Sequence, residues 1–160
     1  MKKVKGNMTE VRHRLKGFSL IELLIVIAIL GTLLGIASYT WSRYQDNANL
    51  RTAVRELIAD LEEAREKAKA ENSTYSLTFT ENSPAYVITG GGVSRTKSLS
   101  PFGPGIVVES TNFNQEQVSF LPRGTLNSNT GRIIVKNSRG SKATVTINVT
   151  GRIYVAYDFK

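Results

Sequence analysis

FSLIELLIVIAILGTLLGIA, residues 18–37, holds twenty residues and a single charge, that of Glu22. Wound as an α-helix it is about 30 Å long, the hydrocarbon thickness of a bilayer. Six Lys and Arg side chains precede it (Lys2, Lys3, Lys5, Arg12, Arg14 and Lys16) against one acid, Glu10, so residues 1–17 carry +5 of the chain's +8. Past Ala37 the balance reverses: residues 38–71 hold six basic and seven acidic side chains, a net of −1. Positive flanks stay in the cytoplasm, which places the N-terminus inside and the C-terminal bulk outside.

Three readings of this pattern stand side by side. A signal peptide removed after the apolar run has Gly35-Ile36-Ala37 as a loose small-x-small cleavage site. A long run with a carboxylate near its start fits that reading poorly. A plain signal anchor explains the length and the charges but gives Gly17 and Glu22 no role. The third reading rests on resemblance. Lys16-Gly17-Phe18-Ser19-Leu20-Ile21-Glu22 resembles the class III signal motif of type IV prepilins and type II secretion pseudopilins. The resemblance implies a prepilin peptidase that cuts between Gly17 and Phe18 and methylates the new amine of Phe18. It also makes Glu22 the acidic residue at the fifth mature position. The leader is then residues 1–17, or shorter if Met8 is a second start.

Physics gives Glu22 a task of its own. A carboxylate near the membrane core costs about 2.5–3.5 kcal/mol on insertion scales. Unless it snorkels to water, it needs a partner, and the cationic terminal amine of a neighbouring subunit is one. Such a pair gains about 4 kcal/mol at 4 Å and an effective dielectric of 20, before desolvation. Pairing of this kind favours a staggered, head-to-tail helical assembly over a closed dimer.

The helical pattern continues beyond the apolar run. No proline occurs between Phe18 and Glu71, and Leu50, Val54, Leu57, Ile58, Leu61, Ala64 and Ala68 form a helical stripe. The opposite face carries Arg51, Arg55, Glu62, Glu66 and Lys69, with Glu62–Arg65 and Glu63–Lys67 as favourable pairs. One helix of about 54 residues is expected, ending around Glu71-Asn72-Ser73. Gly31 and Gly35 form a small-xxx-small pair that permits close helix approach.

The last ninety residues alternate like sheet. Strands are expected at 74–80, 85–89, 96–99, 106–109, 117–121, 132–136, 143–149 and 153–159. Gly90-Gly91-Gly92 and Pro101-Phe102-Gly103-Pro104-Gly105 read as loops, and Asn137-Ser138-Arg139-Gly140 and Thr150-Gly151 as hairpin turns. Val145, Ile147 and Val149 share one strand face, as do Ile153, Val155, Tyr157 and Phe159, and both are expected against the helical stripe. The fold class is α+β. With the resemblance it is the pilin fold: a long N-terminal spine helix, its first half transmembrane, packed on a C-terminal antiparallel β-sheet domain. The expected organisation is a cleaved leader (1–17), a transmembrane and assembly segment (18–37), an amphipathic continuation (38–72) and a β-rich globular domain (73–160).

Three later motifs narrow the resemblance. Asp60-Leu61-Glu62-Glu63-Ala64-Arg65-Glu66-Lys67-Ala68 followed by a strand, Phe120-Leu121-Pro122-Arg123-Gly124, and Thr150-Gly151-Arg152-Ile153 resemble the H-type minor pseudopilin and FimT family (GspH/FimT). The chain has no cysteine, unlike major pilins with a C-terminal disulfide loop. Its aspartates are Asp46, Asp60 and Asp158, too scattered for the calcium loop of major secretion pseudopilins.

Catalysis finds little support. The one histidine, His13, lies in the leader, so after cleavage neither His nor Cys remains. No serine sits in a G-x-S-x-G context, and the triple glycine lacks the Lys-Ser/Thr of a phosphate loop. A non-enzymatic structural subunit is expected, with no cofactor and no metal. Implied partners are the prepilin peptidase, other pilins or pseudopilins, and the inner-membrane assembly platform. The expected place is the inner membrane as a single-pass protein with a periplasmic C-terminal domain, then the pilus or pseudopilus. A membrane-anchored binding domain that never polymerises is the other class.

The alternative function is DNA binding. Residues 117–160 hold seven basic side chains against Asp158, a net of +6. Arg132 and Lys136 fall on one side of a strand, Arg139 and Lys142 lie at the next turn, and Arg152 and Tyr154 share a side of the last strand. A cationic face with an aromatic can hold a phosphate backbone and stack bases. Some FimT-type pilins take up DNA through a G-R-x-R ending, of which Gly151-Arg152-Ile153-Tyr154 keeps the first arginine and lacks the second. The plainer reading of the same charge is a solvated sheet face.

Overall fold

The computed structural model describes residues 18–160, and the side chains of all of these but residues 37–40. Two compact units divide at Tyr39/Thr40. Helix α1 runs Leu20–Ala70. In the first unit, every residue from Phe18 to Ile36 is exposed. This segment is long and apolar enough to cross a membrane.

In the second unit α1 becomes one-sided. Leu50, Ala53, Val54, Leu57, Leu61, Ala64 and Ala68 are buried, the stripe that 3.6-residue periodicity requires. The helix ends where the sequence places a left-handed residue. Asn72 takes φ +49°, and the Ser73 N–H donates to Ala68 O at 3.2 Å, closing a Schellman cap.

Eight strands follow: β1 (Tyr75–Phe79), β2 (Ala85–Gly90), β3 (Val93–Ser98), β4 (Val107–Thr111), β5 (Gln117–Phe120), β6 (Gly131–Lys136), β7 (Lys142–Ile147) and β8 (Ile153–Asp158). They form two four-stranded antiparallel sheets, β3-β2-β1-β5 and β4-β6-β7-β8. Leu77, Phe79, Tyr86, Val118 and Phe120 from the first, and Ile133, Val135, Val145 and Ile147 from the second, join the helical stripe in one hydrophobic cluster. The fold is α+β, as the pattern implies.

Three local differences from the sequence reading have physical causes. β3 begins at Val93 rather than Thr96, because Gly91 and Gly92, at φ +57° and +75°, make a two-residue turn that pairs Gly90 with Val93. β7 stops at Ile147 rather than running to Val149. Asn148 caps the turn by accepting from Thr150 Oγ1 (2.7 Å) and the Arg152 N–H (2.9 Å), which leaves Val149 exposed. On β8 the expected apolar face is half-covered: Val155 is exposed, while Tyr157 and Phe159 stack at 5.3 Å beneath the Arg51 guanidinium.

Both last hairpins share one design. Asn137 Oδ1 accepts from the N–H groups of Arg139 and Ser141, each at 3.0 Å, and Asn148 Oδ1 likewise accepts twice in its own turn, from the Thr150 hydroxyl and the Arg152 N–H. The fourth residue of each turn is a left-handed glycine, Gly140 at φ +80° and Gly151 at +77°.

Candidate functional site

Residues 1–17, with Gly17 and Met8, lie outside the described residues. Phe18 is 79% exposed, and Glu22 sits in the first turn of α1, where a carboxylate complements the helix dipole. Exposed Ile21, Leu23, Ile25 and Val26 surround it. Gly31 and Gly35 open onto free space. The whole segment presents apolar surface that the described fold does not cover.

Of the six basic and aromatic residues singled out in the C-terminal half, the structure brings four onto the outer face of the second sheet and two near it. Across β6, β7 and β8, Arg132 pairs with Thr146 and Thr146 with Tyr154. The next such row but one is Lys136, Lys142 and Asp158. At that end the charge is neutralised. Glu109, at the β4 bulge between Val108 and Ser110, meets Lys142 Nζ at 2.6 Å and Lys136 Nζ at 3.5 Å. The Lys142 hydrogen bond, helped by both ammonium charges, holds the Glu109 carboxyl below its ordinary value. Arg139 turns to α1 instead, donating to the Asp46 carboxylate and to Ser42 Oγ at 2.6 Å. Arg132, Arg152 and Tyr154 remain exposed, with Arg132 beside a shallow pocket of Ser110, Thr111 and Asn112.

Two clusters escaped the sequence reading. Asp60, 3% exposed, accepts from the Tyr86 hydroxyl and meets Lys97 Nζ at 3.1 Å; Lys97 also reaches Glu56 at 2.9 Å. Hydrogen bonds to Glu56 and then Asp60 raise the Lys97 ammonium, and burial followed by the Asp60 bond raises the Tyr86 phenol. The signal was available: Asp60 interrupts the apolar stripe between Leu57 and Ala64, and a buried charge must be paired. Beside it lies a cavity of about 280 Å³. On its rim Glu63 holds Lys67 at 2.7 Å and Arg95 at 3.7 Å, and the Tyr75 hydroxyl donates to Glu71 at 2.6 Å.

The second cluster explains two motifs together. Arg65, expected to pair with Glu62, donates from Nε to Gly124 O at 3.0 Å and from Nη2 to Thr150 O at 3.4 Å. Gly124 closes the Leu121-Pro122-Arg123-Gly124 turn, its N–H donating to Leu121 O at 2.7 Å. Arg65 therefore ties both glycine turns to α1. A Cβ at Gly151 would press into Gly124 O and come within 2.7 Å of Arg65 Nε.

Comparison with known proteins bears on the family and the fold. A family model for the prokaryotic N-terminal methylation motif matches residues 12–38. A model for the type II transport protein GspH matches residues 53–151. No curated protein matches the chain by sequence. Among solved structures, the type IV minor pilin FimU of Pseudomonas aeruginosa is similar in two crystal forms. The first is 18% identical with a TM-score of 0.56, covering 71% of this chain and 92% of FimU. The second is 19% identical with a TM-score of 0.50, covering 66% and 91%. At these identities the likeness is one of fold.

Proposed function

This chain belongs to the GspH family of type II transport proteins, and from that premise we propose that it is a minor pilin or pseudopilin, a non-catalytic subunit of a type IV pilus or type II secretion pseudopilus. One observation carries the reading: a wholly exposed apolar segment, residues 18–36, precedes a unit that buries its own hydrophobic core from Leu50 to Ile147. Such a helix is made to be covered by lipid first and by other subunits later. The methylation motif over residues 12–38 supports processing by a prepilin peptidase between Gly17 and Phe18. The freed, methylated amine of Phe18 then meets Glu22 of the neighbouring subunit, compensating the buried carboxylate. Before assembly the chain is a single-pass inner-membrane protein with residues 73–160 in the periplasm. Its partners are other pilins or pseudopilins and the assembly platform.

Structural work ranks ahead of DNA binding on this domain. Glu109 compensates Lys136 and Lys142, and Asp46 compensates Arg139, so the cationic face reduces to Arg132 and Arg152 beside Tyr154. Mass spectrometry of the native protein tests the proposal. The expected N-terminus is methyl-phenylalanine at Phe18. A protein still beginning at Met1 or Met8, or beginning at Ser38, overturns it.

A further inference from the structure

α1 carries one more pair of large side chains that nothing in the fold covers. Trp41 and Tyr44 are each 69% exposed, with ring centroids 6.4 Å apart. Three residues apart, they share one helix face. At about 100° per residue, Trp41 points about 180° and Tyr44 about 120° from Leu50, the first buried residue of the stripe. The side that meets the domain at this level is a different one, where Arg139 grips Ser42 and Asp46. The pair begins four residues after the apolar run ends at Ala37. Trp and Tyr have an apolar body and a polar tip, the combination that settles at the level of lipid headgroups.

The geometry points to Trp41 and Tyr44 as an interfacial anchor: in the unassembled subunit both rings lie in the phospholipid headgroup layer on the side of the bilayer that carries the β domain. Lipid is the occupant because the pair continues directly from the membrane segment and faces away from the domain. The anchor holds the helix at one depth, since burying either ring deeper strands its N–H or O–H and raising it exposes the ring. The inference rests on the membrane-anchored reading above.

Trp41 is the only tryptophan in the chain, so the unmodified protein is its own probe. The full chain is reconstituted at low density in phosphatidylcholine vesicles brominated at shallow or deep acyl positions. The anchor predicts emission shifted to the blue relative to the unfolded chain, stronger quenching by shallow than by deep bromines, and protection from aqueous acrylamide. A Trp41→Phe/Tyr44→Trp variant moves the probe to the second ring and should give the same depth. Flotation with the vesicles combined with full acrylamide quenching overturns the anchor alone. Protection that appears only at high protein density assigns the pair to a neighbouring subunit and also overturns it. Failure to float with vesicles overturns the membrane reading and the anchor together.

Discussion

Replacing Gly151 with alanine should cost far more than replacing Gly140, although the two glycines occupy the same position of the same turn. Both have left-handed φ, +77° and +80°. A Cβ there costs about 1–2 kcal/mol in backbone strain, less about 0.4–1 kcal/mol returned by a stiffer unfolded chain. At Gly140 nothing further is lost, because the nearest atom to the added carbon is Lys160 Nζ at 3.9 Å. At Gly151 the carbon presses into Gly124 O and approaches Arg65 Nε within 2.7 Å. The turn must move, and the Arg65–Gly124 hydrogen bond at 3.0 Å goes with it, worth about 1.5–3 kcal/mol as a bond to a charged donor. Gly140→Ala should therefore cost about 1 kcal/mol and Gly151→Ala about 3–4 kcal/mol. Urea unfolding of the two variants in detergent, followed by circular dichroism, measures the difference, and Arg65→Ala should account for much of it. Equal costs within about 0.5 kcal/mol would refute the wedge between the two turns.

Glu22→Ala should leave membrane insertion intact and abolish cross-linking between apolar helices of neighbouring subunits in cells; normal incorporation into a filament would sink the pairing of Glu22 with a terminal amine. Asp60→Ala should cost about 3 kcal/mol or more, because it leaves the Tyr86 hydroxyl buried without an acceptor and Lys97 with Glu56 alone. Tyr86→Phe should cost about 1.5–3 kcal/mol and the double variant less than the sum, read by thermal melts as a double-mutant cycle. Glu109→Gln should lower stability at neutral pH by about 0.5–1 kcal/mol. The Glu109 carboxyl lies below its ordinary 4.5 in the folded state, so its contribution is present above that value and lost as pH falls through the folded one. The urea midpoints of wild type and Glu109→Gln should thus converge as the pH is lowered below the ordinary carboxylate value.

Much of this architecture was legible because it depends on periodicity and on few residue types. The stripe from Leu50 to Ala68 has a 3.6-residue repeat, and it is buried as that repeat demands. The helix end around residues 71–73 and the turns at 137–140 and 150–151 follow from turn-forming residues, and the structure puts Asn72, Gly140 and Gly151 at positive φ there. What escaped was long-range pairing. Spacing alone offers Arg65 its neighbour Glu62, three residues away. The structure gives it two carbonyls, 59 and 85 residues away in sequence, and no local pattern encodes that. Like charges on β6, at the next turn and on β8 predict a cationic sheet face. Glu109, on a different strand, meets Lys136 and Lys142 by another long-range pairing that spacing does not encode. Division of the strands into two sheets was equally invisible, since β4 passes over β5 to pair with β6.

The two arginine fastenings sit at opposite ends of the helix's buried face: Arg139 on Ser42 and Asp46, Arg65 on Gly124 and Thr150. Tension applied along the helix axis therefore loads the interface in shear. Both fastenings and the row of packed side chains between them resist at once, whereas a single attachment at one end would let the domain peel away contact by contact. A domain held in this manner stays seated on residues 40–70 of the helix under load, instead of lifting off from one end.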